Sequence, residues 1–329
     1  MKTPRLSICI ATYNRATYIG ETLDSVIPQV TDDVEIVVVD GASTDGTELL
    51  MREYLQRCDR LRYIRLPVKG GVDGDYNRAV ESARGEYCWL FTDDDLLKAG
   101  AVEKVLHELL KGHALMVINS EVWNADFSSL ISARHLSDEA RPVYAPDAFD
   151  DFFRDCVRYL SYIGAVVIRK SIWDERDKES YLGTDFIHVG VIFQKRLPMT
   201  IGVIQEPCIQ IRYGNAQWTV RKFDIWMHQW PRLLWSFDEI SQAAKHRIID
   251  REPWKNLKKL FVYRSLAAYD ATVLRKLISQ HPVSSSWRLA ATCISRFPVG
   301  WAGRILLHYY ALSGKPKDLI YADLLEMRK

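Results

Sequence analysis

The sequence predicts an α/β chain, a Rossmann-like mixed sheet flanked by helices and followed by a helical C-terminal subdomain. Three observations predict it. Short β-prone runs alternate with helical patterns through residues 1–100, as strands joined by crossover helices do. The strand runs are nearly continuous in Val and Ile, which suits strands buried on both faces. Tryptophan is segregated, with seven of ten (Trp218, Trp226, Trp230, Trp235, Trp254, Trp287 and Trp301) in the last third.

In order, residues 6–11 form a first strand that ends at Thr12, Tyr13, Asn14 and Arg15. Apolar residues at helical spacing follow, through Leu23, Val26 and Ile27. Residues 34–39 form a second strand, stopped by the polar, glycine-containing stretch 40–47. A helix over 48–55 and a third strand over 61–66 come next. Residues 69–75 form a glycine-rich loop able to admit close backbone approach to phosphate, or an ordinary turn, with Asp75 as N-cap of a helix starting near Asn77. The apolar run Tyr87–Phe91 is the strand that leads into Asp93, Asp94 and Asp95. Ligands of such sheets bind at the carboxyl ends of strands, so segments 12–15, 40–46 and 93–95 are expected to line one crevice. Downstream, Asp185 opens the apolar run 189–193, and a strand over 208–211 runs into Arg212, Tyr213, Gly214 and Asn215.

The remainder is helical. Trp226 and Trp230 share a helix face, and Arg251, Glu252, Pro253 and Trp254 read as a helix start with Pro in its first turn. A last helix from Val299 carries Trp301, Ile305, His308 and Leu312 on one stripe and stops at Gly314 and Pro316. A composition shift near Asn215 divides the chain into 1–215, with halves 1–100 and 101–215, and a basic, Trp-rich region 216–329.

Charge and cysteine usage narrow the classes. Forty-four basic against 42 acidic residues among 329 leave no nucleic-acid signature. The balance is uneven: residues 216–329 hold 19 Lys/Arg against 9 Asp/Glu, whereas residues 1–215 hold 25 against 33. A basic tail implies an anionic partner, either phosphate groups or a membrane face. Six scattered cysteines without paired spacing are expected to be reduced and buried, in a cytoplasmic protein. Met1, Lys2, Thr3, Pro4 and Arg5 run directly into the first strand, so no signal peptide is expected, and no stretch is long enough to span a membrane.

Three adjacent carboxylates repel one another and raise each other's pKa. A turn or helix cap is one use for them; a hard divalent cation that also takes phosphate oxygens is the other.

The ordered set of motifs resembles the family 2 glycosyltransferases with the GT-A fold. The carriers are Ser7 to Arg15 (SICIATYNR), Val37 to Thr47 (VVVDGASTDGT), and Asn77, Arg78, Ala79 and Val80 with Arg84, Gly85, Glu86 and Tyr87 running into Asp93, Asp94 and Asp95. The resemblance implies a nucleotide-sugar donor, with Thr12, Tyr13, Asn14 and Arg15 lining the nucleobase pocket, Asp40 on base or ribose, and Mg²⁺ or Mn²⁺ on the aspartates. Asn77 and Arg212 are the further donor-side candidates, Arg212 because a guanidinium fork suits phosphate oxygens. The usual pattern Asp-x-Asp-Asp is altered, since its first position falls on Thr92. Asp95 is the favoured metal ligand, with Asp93 as second ligand or, like Asp94, on the ribose. Inverting transfer also needs a base for the acceptor hydroxyl. Asp185, the surviving member of the family's acidic pair, is the candidate, with an N-cap as its alternative use. His188, one turn on, is a second candidate for the catalytic set.

Gly183, Thr184, His188 and Val189 are similar to bacterial abequosyltransferase-like enzymes of O-antigen assembly. That similarity implies a deoxysugar passed to a lipid-linked glycan, an isoprenoid diphosphate at the cytoplasmic face of the inner membrane. The C-terminal stripe would pack as core or touch that membrane peripherally. The rival readings are a non-catalytic nucleotide-sugar-binding module and a nucleotidyltransferase; the segment 12–15 lacks the glycines the latter uses.

Overall fold

The computed structural model describes residues 3–215, 221–313 and 319–327. Met1, Lys2, Trp218, Gly314 and Pro316, on which expectations above fall, lie outside the described residues. The chain divides into two compact units: residues up to Tyr213 together with Phe237–Ile248, and Gly214–Ser236 together with the residues from Ile249 onward. The segment Phe237–Ile248 therefore belongs with the first unit, although it follows the composition shift.

The first unit is built on one mixed sheet. Its strands are β1 (Leu6–Thr12), β2 (Val34–Asp40), β3 (Leu61–Arg65), β4 (Tyr87–Phe91), β5 (Leu96–Leu97), β6 (Leu115–Trp123), β7 (Leu130–Ser132), β8 (Val143–Tyr144), β9 (Val166–Arg169) and β10 (Ile201–Arg212). The spatial order is β3-β2-β1-β4-β9-β6-β10-β5, with β7 on β6 and β8 on β10. Strands β3, β2, β1 and β4 are mutually parallel. Strand β9 is antiparallel to both neighbours, β4 and β6, and β10 returns parallel to β6. Every residue of β2 and β4 is buried, which explains their unbroken Val, Ile and aromatic character.

Helices α1 (Ile19–Val26), α2 (Thr47–Arg57), α3 (Val72–Ser82), α4 (Ala101–Leu109), α5 (Phe149–Cys156), α6 (Lys170–Glu175) and α7 (Ile187–Phe193) accompany the sheet. In α1 the buried positions Ile19, Thr22, Leu23 and Val26 repeat at helical spacing. Helix α3 begins five residues before Asn77, because Gly71 at φ +85° makes the turn into it. Asp75 is thus inside the helix and is not its N-cap. A second core gathers Phe149, Phe152 and Phe153 of α5 with Phe193 and Phe237, their rings meeting at 5.2–6.3 Å between centroids.

The second unit has its own core around Phe223, Trp254, Leu260, Tyr269, Leu274 and Leu277. Asn256, Asp270 and Ser284 each cap the helix that follows. Trp226 and Trp230 meet edge to face at 5.8 Å. Pro253 opens a short 3₁₀ turn, and the helix itself starts at Leu257. On the helix Val299–Ser313, Trp301, Ile305, His308 and Leu312 are all exposed. Of the cysteines, five are buried and none is disulfide-bonded, but Cys293 is exposed, against expectation. Among the described residues no helix is long and apolar enough to cross a membrane.

One buried knot fixes the entry to β4. The Gly85 amide donates to Ser7 Oγ (2.8 Å), and that hydroxyl donates to Glu35 Oε1 (2.7 Å). A Cβ on Gly85 would stand 2.6–2.9 Å from Ser7 Oγ, Ser7 N and the Leu6 carbonyl carbon. Backbone cannot move aside there, so Gly85→Ala is expected to cost about 1–3 kcal/mol, read as a lower urea midpoint at unchanged slope.

Candidate active site

The carboxyl ends of β1, β2 and β4 bring their loops together, as their adjacency in the sheet requires. Asn14 takes a left-handed conformation (φ 53°), which Asn tolerates. Its amide donates to Ser43 Oγ (2.8 Å) and its Oδ1 accepts from the Thr44 amide (2.7 Å). The Arg15 amide donates to Thr47 Oγ1 (3.1 Å). Segments 12–15 and 43–47 are thereby laced into one wall. Tyr13 lies on that wall under Lys69, whose Nζ is 3.6 Å from the ring centroid.

Asp40 does not offer its carboxylate to solvent. It is wholly buried, accepting from the Ser43 amide (2.7 Å) and the Tyr63 hydroxyl (2.5 Å). It shapes the loop, and the direct base or ribose contact expected of it has no open path here. Asp75 lies beside Gly41, at the end of the same strand. It is buried against Gly41 and Gly70, whose missing side chains leave its room, and its Oδ1 has no hydrogen-bond partner. Burial pushes its carboxyl up to about 6, Lys69 opposing and Asp40 assisting.

The three aspartates after β4 are not equivalent. Asp95 is 2% exposed and accepts from the Arg212 amide (2.7 Å), Thr92 Oγ1 (2.5 Å) and the Tyr162 hydroxyl (2.6 Å). A carboxylate so saturated is a structural hub, which corrects its expected place as the direct metal ligand. Asp93 and Asp94 instead face Arg15, with Nε 3.6 Å from Asp93 Oδ1 and Nη2 3.5 Å from Asp94 Oδ2. Burial, reinforced by the charge of Asp94, pushes both Asp93 and Asp95 up to about 7; Arg15 and Thr12 oppose this at Asp93.

Among the described residues no three His, Cys, Asp or Glu side chains converge on one point as a metal cage. A hard cation such as Mg²⁺ or Mn²⁺, however, needs only one or two carboxylates when phosphate oxygens complete its shell. The Asp93 and Asp94 pair fits that use, since a cation would offset the burial and the mutual repulsion that raise the Asp93 pKa.

Arg212 is also committed. It is 7% exposed, and its Nε donates to the Asp94 carbonyl (2.9 Å), Nη1 to the Ala125 carbonyl (2.7 Å) and Nη2 to Glu21. The Tyr18 and Phe127 rings flank it at 5.0 and 4.4 Å. No fork is left for phosphate, so Arg212 braces the aspartate loop from β10. Asn77 is likewise occupied, donating to Glu81 (2.9 Å) and accepting from the Trp173 indole (3.0 Å). It pins α3 to α6 and does not line the donor side.

Asp185 does not cap the helix that follows it. Helix α7 starts at Ile187 without a side-chain bond from its own N-cap, Phe186. Asp73 of α3 does that work from 112 residues away, accepting from the Asp185 amide (2.9 Å) and the Ile187 amide (3.0 Å). Asp185 itself is half-buried and sits at φ 65°, rare for a residue with a side chain. Burial pushes Asp73 up to about 6, against the two amides it accepts from. One turn on, the Tyr76 hydroxyl donates to the Phe91 carbonyl (3.0 Å) beside the aspartate loop. Helix α3 therefore ties the Asp185 loop to the Asp93 loop.

His188 is not at the surface of this site. It is fully buried in α7, with Nε2 2.7 Å from the Leu160 carbonyl, and burial lowers its pKa to about 4. Its burial inside α7, with Nε2 held by the Leu160 carbonyl, removes it as base or metal ligand. Asp73, Asp75, Thr92 and Tyr162 complete the site unannounced. An acid in the first turn after a Gly-Gly pair was a signal for Asp73; Tyr162, distant in sequence from Asp95, had none.

Comparisons with known proteins bear on the family and the fold. Residues 7–157 match the model of the family described as "Glycosyl transferase family 2", and carry a domain of that family. The chain is 29% identical over 199 residues to the abequosyltransferase RfbV of Salmonella typhimurium, covering 57% of this chain and 60% of the relative. It is 30% identical over 112 residues to a GalNAc(5)-diNAcBac-PP-undecaprenol beta-1,3-glucosyltransferase of Campylobacter jejuni, covering 34% and 36%. The chain thus spans at most three-fifths of the length of these two relatives. Among solved structures, TarS 1–349 of S. aureus in complex with UDP superposes with a TM-score of 0.56 at 17% identity, covering 94% and 92% of the two chains. A mannosyltransferase of Pyrobaculum calidifontis in complex with GDP-Man and Mn²⁺ gives 0.56 at 17%, covering 99% and 86%. The fold is GT-A.

Asp75 supplies a direct test of the electrostatics. Its folded pKa is raised, so its proton favours folding below about pH 4 and that contribution is lost as pH rises through about 6. Asp75→Asn mimics the protonated form. It is expected to stabilise the ligand-free protein by about 1–3 kcal/mol at pH 8 and to give little change at pH 4, measured by urea unfolding at both values.

Proposed function

We propose that this chain, through its glycosyl transferase family 2 domain, is an inverting glycosyltransferase. It would move a sugar from a nucleotide diphosphate donor to a glycan acceptor in surface-polysaccharide assembly. The observation that carries the reading is the carboxylate pair Asp93 and Asp94 facing Arg15 at the end of β4, joined through α3 to the Asp185 loop. The UDP bound by TarS and the GDP-Man and Mn²⁺ bound by the Pyrobaculum enzyme support a nucleoside diphosphate for this fold.

In this reading Tyr13, under Lys69, offers a face for the nucleobase, and the buried, unpartnered Oδ1 of Asp75 would accept an N–H from its edge. Arg15 lies beside the donor diphosphate. Asp93 and Asp94 would hold Mg²⁺ or Mn²⁺, which supplies charge neutralisation for the departing diphosphate. Asp185 takes the acceptor proton as the acceptor oxygen bonds to the anomeric carbon and the bond to diphosphate breaks, inverting that centre. Asp73 holds the Asp185 backbone, so the base is aimed by its two amide bonds and its left-handed conformation. The similarity to an abequosyltransferase favours a deoxyhexose, and the undecaprenol-linked name of the second relative favours a lipid-linked acceptor at the inner membrane. A binding module without turnover would have no use for the Asp185 arrangement.

Exposed Trp301 (60%), Ile305 (47%), Tyr309 (49%) and Leu312 (74%) on the helix Val299–Ser313, in a region of net positive charge, support peripheral contact with an anionic bilayer.

Two sets of measurements test the proposal. A calorimetric panel of UDP-, GDP-, CDP- and dTDP-sugars with and without Mn²⁺ is expected to show metal-dependent binding of one nucleotide. Asp94→Ala should weaken that binding more than about tenfold. Asp185→Asn should keep it within about threefold while turnover falls by about 10²–10⁴; a variant that retains turnover sinks the base assignment. Separately, Trp301→Ser/Leu312→Ser is expected to reduce co-flotation with liposomes containing anionic lipid, and equal flotation of both proteins would dismiss the membrane contact.

A further inference from the structure

The first unit contains a second polar cleft, of about 520 Å³, that the donor site does not use. His135, Tyr159, Arg154, Arg158 and Arg247 are among its lining, with Arg154 and Arg158 delivered by α5 and the turn after it, and Arg247 by the helix Gln242–Ile248. Arg154 is neutralised by Asp151. Among the described residues neither Arg158 nor Arg247 is paired with a carboxylate; Arg158 donates only through Nη2, to the Ile248 carbonyl (2.6 Å). Two acids also line the cleft: Asp155, engaged by the Tyr144 hydroxyl (2.8 Å), and Glu139.

The floor of this cleft is coupled to the aspartate loop. Tyr159 donates to the Ile118 carbonyl (2.5 Å), its ring stands 6.3 Å from that of Tyr162, and Tyr162 donates to Asp95. The cleft therefore begins two aromatic rings from Asp95, on the half of the sheet that does not carry the nucleotide-side loops. The geometry points to an acceptor subsite: Arg158 and Arg247 bind the diphosphate of a lipid-linked acceptor. This rests on the glycosyltransferase reading above and adds to it the place where the acceptor is anchored. Both side chains are exposed, so a ligand can reach them, and guanidiniums suit the assignment because their planar donors fit phosphate oxygens in pairs.

The test uses the full chain and two probes, farnesyl diphosphate and inorganic phosphate, titrated with and without saturating nucleotide. Farnesyl diphosphate is expected to bind in both conditions, and the double variant Arg158→Gln/Arg247→Gln to weaken it at least about tenfold. Nucleotide affinity and the urea midpoint should stay at wild-type values, which shows that the variant folds. With a lipid-linked acceptor, KM should rise at least about tenfold with kcat within about twofold. Displacement of farnesyl diphosphate by nucleotide, or its undiminished binding to the variant, would overturn the subsite. Phosphate binding as tightly as farnesyl diphosphate would overturn the diphosphate assignment. Loss of nucleotide-sugar binding in the wild type would defeat the glycosyltransferase reading alone, because farnesyl diphosphate still reports on the cleft.

Discussion

The arrangement of the site depends on one buried carboxylate, Asp95. Three donors from three separated stretches meet it: the Arg212 amide at the end of β10, the Tyr162 hydroxyl before β9, and Thr92 beside it. An ionised carboxylate taken out of water is unfavourable by several kcal/mol unless such donors replace its hydration. Asp95 therefore recruits the distal strand and the aromatic turn to the end of β4. Arg212 answers by closing on the Asp94 carbonyl and Glu21, so the loop is clamped from both sides. The pair next door, Asp93 and Asp94, faces Arg15 instead.

That division of labour explains why three acids stand in a row. One is spent on architecture, and its rigid fixation keeps the other two close against their mutual repulsion. Charge strain of this kind is uncomfortable without a ligand and is relieved by one, since a cation on Asp93 and Asp94 or an N–H on Asp75 restores what burial removed. Asp73 shows the same economy with the opposite outcome: it is buried yet fully used, and its two amide bonds hold Asp185 in a conformation that a free chain would rarely adopt. The acids of this region thus serve different purposes, distinguished by how many donors each has met.

This also sets the limit of what the sequence made legible. Strands β1, β2 and β4 were readable because burial on both faces leaves an unbroken apolar run, and their carboxyl ends marked the site because parallel topology forces them together. The roles within the site were not. Arg212 and Asn77 carry the right chemistry for a donor pocket, but whether a side chain is free depends on partners such as Glu21 and Trp173 that lie far along the chain. His188 follows Asp185 at helical spacing, yet α7 begins only at Ile187 and is buried along its whole length. Periodicity can assign a face to a helix only when the helix has an exposed one.

The same reasoning bears on which groups remain available for ligands. A polar side chain whose hydrogen bonds close within the fold contributes to specifying that fold; one left with open valence in a walled site is held ready at a cost in stability. By that criterion Asp95, Asp40, Arg212 and Asn77 belong to the scaffold. Asp75, with an unpartnered buried oxygen, and Arg158 and Arg247, with guanidiniums that no carboxylate neutralises among the described residues, are the candidates for recognition. They belong to different parts of the first unit, Asp75 to α3 and the two arginines to the cleft lined by Tyr159. An inverting transfer calls for separate sites of that kind, because the acceptor oxygen reaches the anomeric carbon on the face opposite the departing diphosphate.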